Sequence, residues 1–270
     1  MTASLPLVIE PETLQAHLED RMLRIIDLGN PDRYTQAHIP GAVYVHPQLT
    51  QLGMPPAPGL LPDEAHLQTL ANSLGLTPDT HVVVYDDEGG GWAGRFIWLL
   101  DCIGHERYSY LNGGWIAWHN EGRPESDDAV EPEASNYPIQ LNPAPTASLQ
   151  DVINSLGDDE TQIWDARSPA EYHGERVAAA RAGHIPGARN LEWTRAMDPQ
   201  RNYRLLEPNA MRARLKEAGL DMDKPVITHC QTHHRSGLTY LVAKWLGAPK
   251  VQGYAGSWAE WGNRKDTPVE

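Results

Sequence analysis

Short, nearly continuous apolar runs punctuate this chain at Leu23–Asp27, Val82–Tyr85, Gln162–Asp165 and Val226–His229. Between them lie longer stretches with helical apolar spacing: Pro62–Leu74, Trp92–Ile103, Glu207–Ala218 and Ser236–Leu246. A short run that is apolar throughout fits a strand covered on both faces, and the amphipathic stretches fit helices laid against it. The alternation predicts an α/β fold: βα units building a mostly parallel sheet flanked by helices on both faces. In such sheets ligands sit beyond the carboxyl ends of the strands.

The pattern occurs twice. Asp27, Pro31 and Tyr34 recur with identical spacing as Asp165, Pro169 and Tyr172. His38-Ile-Pro-Gly-Ala42 returns as His184-Ile-Pro-Gly-Ala188, displaced because the second copy has gained residues around Gly174–Gly183. Gly94, Gly104, Trp115 and Trp118 match Gly237, Gly247, Trp258 and Trp261, again at constant spacing. Ordered self-similarity of this extent marks a tandem duplication of one structural unit. The stretch from Asn120 to Pro145 is acidic, proline-rich and aperiodic, so it reads as a linker. The expected organisation is a first domain over 1–124, a linker over 125–147 and a second domain over 148–270.

The copies differ where chemistry would sit. The second contains Pro225-Val-Ile-Thr-His-Cys230-Gln-Thr-His-His-Arg235-Ser-Gly237: a buried strand, a tight loop opening on cysteine, then an amphipathic helix. At the equivalent strand end the first copy offers Asp86, followed by Asp87 and Glu88. The second copy is therefore expected to be catalytic and the first to be scaffold.

Thiolate is the reactive form of cysteine, and an ordinary thiol with a pKa near ~8.5 is mostly protonated at neutral pH. Three features around Cys230 favour the anion. It precedes a helix, whose first N–H groups carry partial positive charge. The loop Gln231-Thr232-His233-His234-Arg235 is short enough to turn its amides back on the sulfur as an anion-binding nest. Arg235 adds a permanent cation with a forked donor set suited to oxyanions. The histidines line the loop, where partial protonation would add positive potential.

Other readings of these residues are weaker. Cys102 sits among Ile97, Leu99, Leu100 and Ile103 with no cation beside it, which reads as core packing. The cluster His229, Cys230, His233, His234 lacks a second thiolate, and adjacent His233 and His234 cannot easily both turn inward, so no metal site is expected. His38 and His184 occupy the same context in both copies, including the one without the cysteine, and read as structural.

Composition narrows the class. At 270 residues, 40% hydrophobic and 21% charged, the chain can bury two globular cores. A formal charge of −14 argues against nucleic acid, whose phosphates need a basic footprint. It also repels anionic substrates at long range, so an anion site must build positive potential locally. The opening MTASLPLVIEPETLQ shows no basic-then-apolar leader, and no apolar run approaches the ~20 residues that span a bilayer. With 2 Cys there is no disulfide framework, and the expected compartment is a reducing cytoplasm.

Two stretches resemble the signatures of the rhodanese, or thiosulfate sulfurtransferase, family: Tyr34-Thr-Gln-Ala-His38-Ile-Pro-Gly-Ala42 and Val251-Gln-Gly-Tyr254-Ala-Gly-Ser-Trp258-Ala-Glu-Trp261. The resemblance runs from about Leu5 to Trp261 and is especially close to bacterial two-domain members with a Cys-Gln-Thr-His-His-Arg loop. It implies two tandem rhodanese-like α/β domains, with the active site on the second. Cys230 would take the sulfane sulfur of thiosulfate, release sulfite and hold a persulfide until cyanide or another thiophilic acceptor removes it. No cofactor beyond that covalent persulfide is implied. Gln231, Thr232, His233, His234 and Arg235 would form the substrate-binding loop.

The chain departs from that pattern in having neutral Gln231 and Thr232 where better-known thiosulfate-using members carry cations. Arg235, with Arg181 from the inserted stretch, would supply the charge. Enzymes using 3-mercaptopyruvate favour a small Gly/Ser-rich loop after the cysteine, so that activity ranks behind thiosulfate. A persulfide carrier delivering sulfur or selenium to a protein partner is a further alternative. A cysteine phosphatase ranks last, because such loops place five residues between Cys and Arg and this one places four, Gln231 to His234.

Overall fold

The computed structural model describes residues 5–158 and 160–270. Residues 1–4, the start of the stretch read for a leader, and Asp159 lie outside the described residues. The chain divides into two compact units.

The first unit contains β1 (Val8–Ile9), α1 (Pro11–Gln15), β2 (Leu23–Asp27), α2 (Pro31–Gln36), β3 (Ala42–Tyr44), α3 (Glu64–Ser73), β4 (His81–Tyr85), α4 (Gly91–Cys102), β5 (Tyr108–Leu111) and α5 (Gly114–Asn120). Its sheet runs β1-β5-β4-β2-β3 with every strand pair parallel. Strands β4 and β5 are buried along their whole length, with His81 Nε2 and Ser109 Oγ paired at 2.8 Å. Ile25, Val83, Tyr85 and Leu111 pack in one cluster with Leu14, Trp115 and Trp118. Helix α4 packs on β4 and β5. Local chemistry sets the helix starts: Asn30 accepts from the amides of Asp32 and Arg33 ahead of Pro31, and Asp63 accepts from His66 N at 2.9 Å.

The second unit contains α6 (Leu149–Asn154), β6 (Gln162–Asp165), α7 (Pro169–Tyr172) and β7 (Arg189–Asn190). A two-stranded ribbon, β8 (Met197–Asp198) and β9 (Arg204–Leu205), follows. Then come α8 (Pro208–Glu217), β10 (Val226–His229), α9 (Arg235–Trp245), β11 (Val251–Gly253) and α10 (Ser257–Trp261). Its sheet, β11-β10-β6-β7, is again wholly parallel. From β6 the chain moves to one side and from β10 to the other, so the topological switch lies between them. Their carboxyl ends carry Asp165 and, one residue past His229, Cys230. That crevice is where an open parallel sheet presents a ligand.

The duplication is visible in three dimensions. Tyr34 donates to Ala42 O at 2.9 Å and Tyr172 to Ala188 O at 2.8 Å. His38 stacks on Tyr34 and His184 on Tyr172, each with Nδ1 bonded to that tyrosine's carbonyl oxygen. Both histidines are thus structural, as their shared context indicated. Each copy also closes on its HIPGA segment: His38 and Ser126 exchange backbone hydrogen bonds, and so do His184 and Glu270.

Two short segments are grouped away from their neighbours in sequence. Gln51–Leu61 belongs to the second unit, and Asp198–Leu205 to the first. The proline-rich stretch runs along the first unit as far as Asn142, with Tyr137 buried and its hydroxyl 3.0 Å from His105 Nδ1. Among the described residues no helix is long and apolar enough to cross a membrane.

Candidate active site

Cys230 ends a strand that is buried at every residue, and it is itself 1% exposed. The chain then turns through Gln231–His234 and enters α9 at Arg235. His233 makes the turn with φ +61, a left-handed conformation that side chains other than glycine adopt rarely and histidine more readily than most. The reversal turns the amides of Thr232 and Ser236 toward the sulfur, and the Ser236 hydroxyl joins them. Burial alone pushes the Cys230 thiol up. Arg235, the Ser236 hydroxyl and the two amides more than offset it, and the thiol lies below its usual value. The nest expected from the sequence is formed.

The loop residues divide in what they do. Thr232 contributes its amide. Gln231 points its side chain away, donating from Nε2 to Ala178 O at 2.9 Å in the inserted stretch. His234 packs against Trp193, with ring centroids 5.8 Å apart. His233 is wholly buried, with Nδ1 2.7 Å from Ser236 Oγ. His229 is also buried, and desolvation holds it down at about 4, so it is neutral at pH 7 and adds no positive potential. The expectation of a charge from partial protonation fails for this histidine because there is no water to solvate the imidazolium.

Arg235 faces the sulfur but is already engaged. Its guanidinium meets Glu171 through both terminal nitrogens, at 2.7 and 2.9 Å. Glu171 is the third residue of α7 and completes a capping box with Ser168. Burial pushes the Glu171 carboxyl up, yet the bonds from Arg235 and Ser168 bring it down to about 2. Arg181, the second expected cation, turns elsewhere. It bonds Thr267 O at 2.6 Å and Trp261 O at 2.7 Å, tying the inserted stretch to the end of the unit.

Three contributors escaped the sequence reading. Ser236 and Glu171 are two. Ser257 is the third, accepting from the Cys230 amide at 3.3 Å and donating to Tyr254 O at 2.8 Å. Ser236 had a local signal, a hydroxyl in the first turn of the helix after the loop. Glu171 had only a capping-box pattern, and its pairing with Arg235 is a long-range fact.

Behind the loop, Arg167 lies across the Trp258 ring, 4.4 Å from its centroid, and bonds Asp165 at 2.6 and 3.0 Å. The first unit builds the same stack from a different position: Arg33 bonds Asp27 at 2.6 Å and lies 4.8 Å over Trp115. Gly29 stands where Arg167 stands in the second copy, and a Cβ there would run into the Arg33 guanidinium. The position matching Arg33 is Glu171, and this exchange frees a carboxylate to meet Arg235.

The first unit also keeps the nest but fills it itself. Asp86 accepts from the amides of Glu88, Gly89, Gly90 and Ala93 at 2.7–3.2 Å. Trp92 and Ala93 stand there in place of Arg235 and Ser236. Cys102 is buried in α4, and neither cysteine is disulfide-bonded. Among the described residues no group of three or more His, Cys, Asp or Glu side chains comes together as a metal site.

Comparison with known proteins agrees with this geometry. The pattern of the rhodanese-like domain matches residues 10–121 and 148–264. A thiosulfate sulfurtransferase of Azotobacter vinelandii is 58% identical over 268 residues, covering 99% of this chain and 98% of the relative. One of Pseudomonas aeruginosa is 53% identical over 268 residues, with 99% and 98% covered. The crystal structure of a 3-mercaptopyruvate sulfotransferase from Escherichia coli superposes with a TM-score of 0.82 at 28% identity, covering 94% of this chain and 99% of that one. A doubled parallel sheet, a buried cysteine in an amide nest on the second copy and these matches lead to one assignment: the chain belongs to the rhodanese family, as two tandem rhodanese-like domains.

Proposed function

We propose that this protein is a thiosulfate sulfurtransferase working through a persulfide on Cys230, with no resident cofactor, in a reducing cytoplasm. The observation that carries the reading is the cradle of Cys230: two amides, a hydroxyl and a guanidinium converge on a buried sulfur and favour its anion. The Cys230 thiolate attacks the outer sulfur of thiosulfate. An S–S bond forms to the enzyme, the donor's S–S bond breaks, and sulfite leaves with the electron pair. Cyanide then attacks the terminal sulfur, leaving as thiocyanate and returning the thiolate. Dividing the transfer in this way is covalent catalysis. The cradle suits both enzyme forms, because thiolate and persulfide are each monoanions at neutral pH. Donors aimed at the sulfur also stabilise charge as sulfite departs.

A cysteine only 1% exposed favours small donors and acceptors over a docking protein partner. The bulky Gln231, Thr232 and His233 favour thiosulfate over 3-mercaptopyruvate. Mass spectrometry after thiosulfate treatment is expected to show one added sulfur on the Cys230 peptide, removable by cyanide. Cys230→Ala should abolish thiocyanate formation, while Cys102→Ala should retain it within about twofold, since Cys102 is buried in α4 of the other copy. Sulfur on the Cys102 peptide, or activity in Cys230→Ala, would refute the reading. Faster turnover of 3-mercaptopyruvate, or of an aryl phosphate, would assign the cradle to another substrate.

A further inference from the structure

Ser236 Oγ occupies a position with two demands on it. As the second residue of α9 its hydroxyl is one of the groups that hold the Cys230 thiol down, and it lies 2.7 Å from His233 Nδ1. A hydroxyl has a single proton to give. The sulfur anion can only accept, so the Ser236 proton goes to it, and the bond to His233 must then be one the histidine donates. We propose that His233 is a positioning residue: as its Nδ1–H tautomer it donates to Ser236 Oγ and thereby fixes the Ser236 proton on the Cys230 sulfur. This rests on Cys230 as the working sulfur and adds a residue that acts without touching it.

The fold carries the features such a relay needs. His233 and Ser236 are both fully buried, so water does not compete for either group. The left-handed turn at His233, φ +61, brings its ring back over the first turn of α9. Strain of this kind persists only where the surrounding structure holds it in place. The first copy, which has a carboxylate in place of the thiol, has Ala93 at the Ser236 position and no hydroxyl to orient. Donors in series polarise one another, so losing the first weakens the second.

The test is the pH dependence of Cys230 alkylation by iodoacetamide in the whole protein, read on the Cys230 peptide. It needs no sulfur donor, so its outcome is separate from persulfide formation. Gly and Asn both tolerate the left-handed backbone; His233→Gly removes the donor and His233→Asn restores a side-chain N–H. The charged groups around the sulfur, Arg235 with Glu171 and Asp165 near it, are unchanged in all variants. In His233→Gly the alkylation midpoint should rise by roughly half to one pH unit, and His233→Asn should recover most of that shift. Ser236→Ala should raise it at least as far, and adding His233→Gly to Ser236→Ala should change nothing more. An unmoved midpoint in His233→Gly, or full additivity of the two changes, would overturn the proposal. Should a variant not fold, ¹⁵N NMR of the wild-type imidazole decides: Nδ1 protonated supports the relay, and Nε2–H with bare Nδ1 rejects it.

Discussion

Arg235 brings a permanent charge to the sulfur, yet Glu171 holds both ends of its fork. The pair is only partly exposed, so its electrostatics are screened less than those of a surface pair. On the proposed reading, thiosulfate would meet a guanidinium already shared with a carboxylate, in a molecule of formal charge −14. Removing the cation and removing its competitor should therefore act in opposite directions. Arg235→Ala should lower kcat/KM for thiosulfate by roughly 1–3 kcal/mol of transition-state stabilisation, the scale of a charge-assisted hydrogen bond. Glu171→Gln keeps a residue that serves a capping box and should lower KM for the dianion. Steady-state kinetics of both variants check this, and a raised KM in Glu171→Gln would mean that Glu171 is needed to aim the arginine.

At the scale of elements, the Cys230 loop is held by segments distant in sequence. Gly59, in the segment Gln51–Leu61, packs so closely that a Cβ would fall within 3.0 Å of the carbonyl oxygens of Thr232 and Ala255. Both are backbone atoms and cannot swing aside. Gly59→Ala should therefore displace the Cys230 loop, cutting sulfur transfer severalfold and lowering the melting temperature by several degrees, on the scale of ~1–3 kcal/mol for overpacking. Unchanged activity would show that the loop does not need this wall. The matching element of the first copy makes the converse point. Asp86→Cys would place a thiol in an amide nest, but with Trp92 and Ala93 in place of the arginine and the hydroxyl. No persulfide is expected there, and a sulfur adduct on that peptide in a Cys230→Ala background would show that amides alone suffice.

At the scale of the whole molecule, burial of neutral imidazoles ties stability to pH. Desolvation depresses His229 and His81 to about 4. On unfolding each takes up a proton near its usual 6.5, so the stability they contribute is present above that pH and lost as pH falls toward 4. Asp86 opposes them. Burial and Glu88 raise it to about 6, so its contribution is present at low pH and lost as pH rises through 6. Burial lowers His105 as well, so three histidines stand against one carboxyl and the net effect is a loss of stability on acidification between roughly pH 6 and 4. Urea unfolding at pH 7 and pH 5 measures it, and equal or greater stability at pH 5 would contradict the assignment of these protonation states.

The sequence alone determined four central strands and the doubling, and it singled out Cys230. β2, β6 and β10 span the apolar runs residue for residue, because a run apolar on both sides has no stable place but the middle of a covered sheet. The chain's order also sets Cys230 at a strand's carboxyl end and Arg235 at the head of a helix, since strand, loop and helix follow one another locally. Short elements such as β1, β3 and β7 were not legible, because two or three residues carry too little periodicity. Tertiary structure decided the rest. It paired Arg235 with Glu171, sent Arg181 to Thr267, placed Gly59 against the loop and kept His229 neutral. Each of these depends on which distant group shares a buried space and on how much water is left there, and neither quantity is carried by the order of residues along the chain.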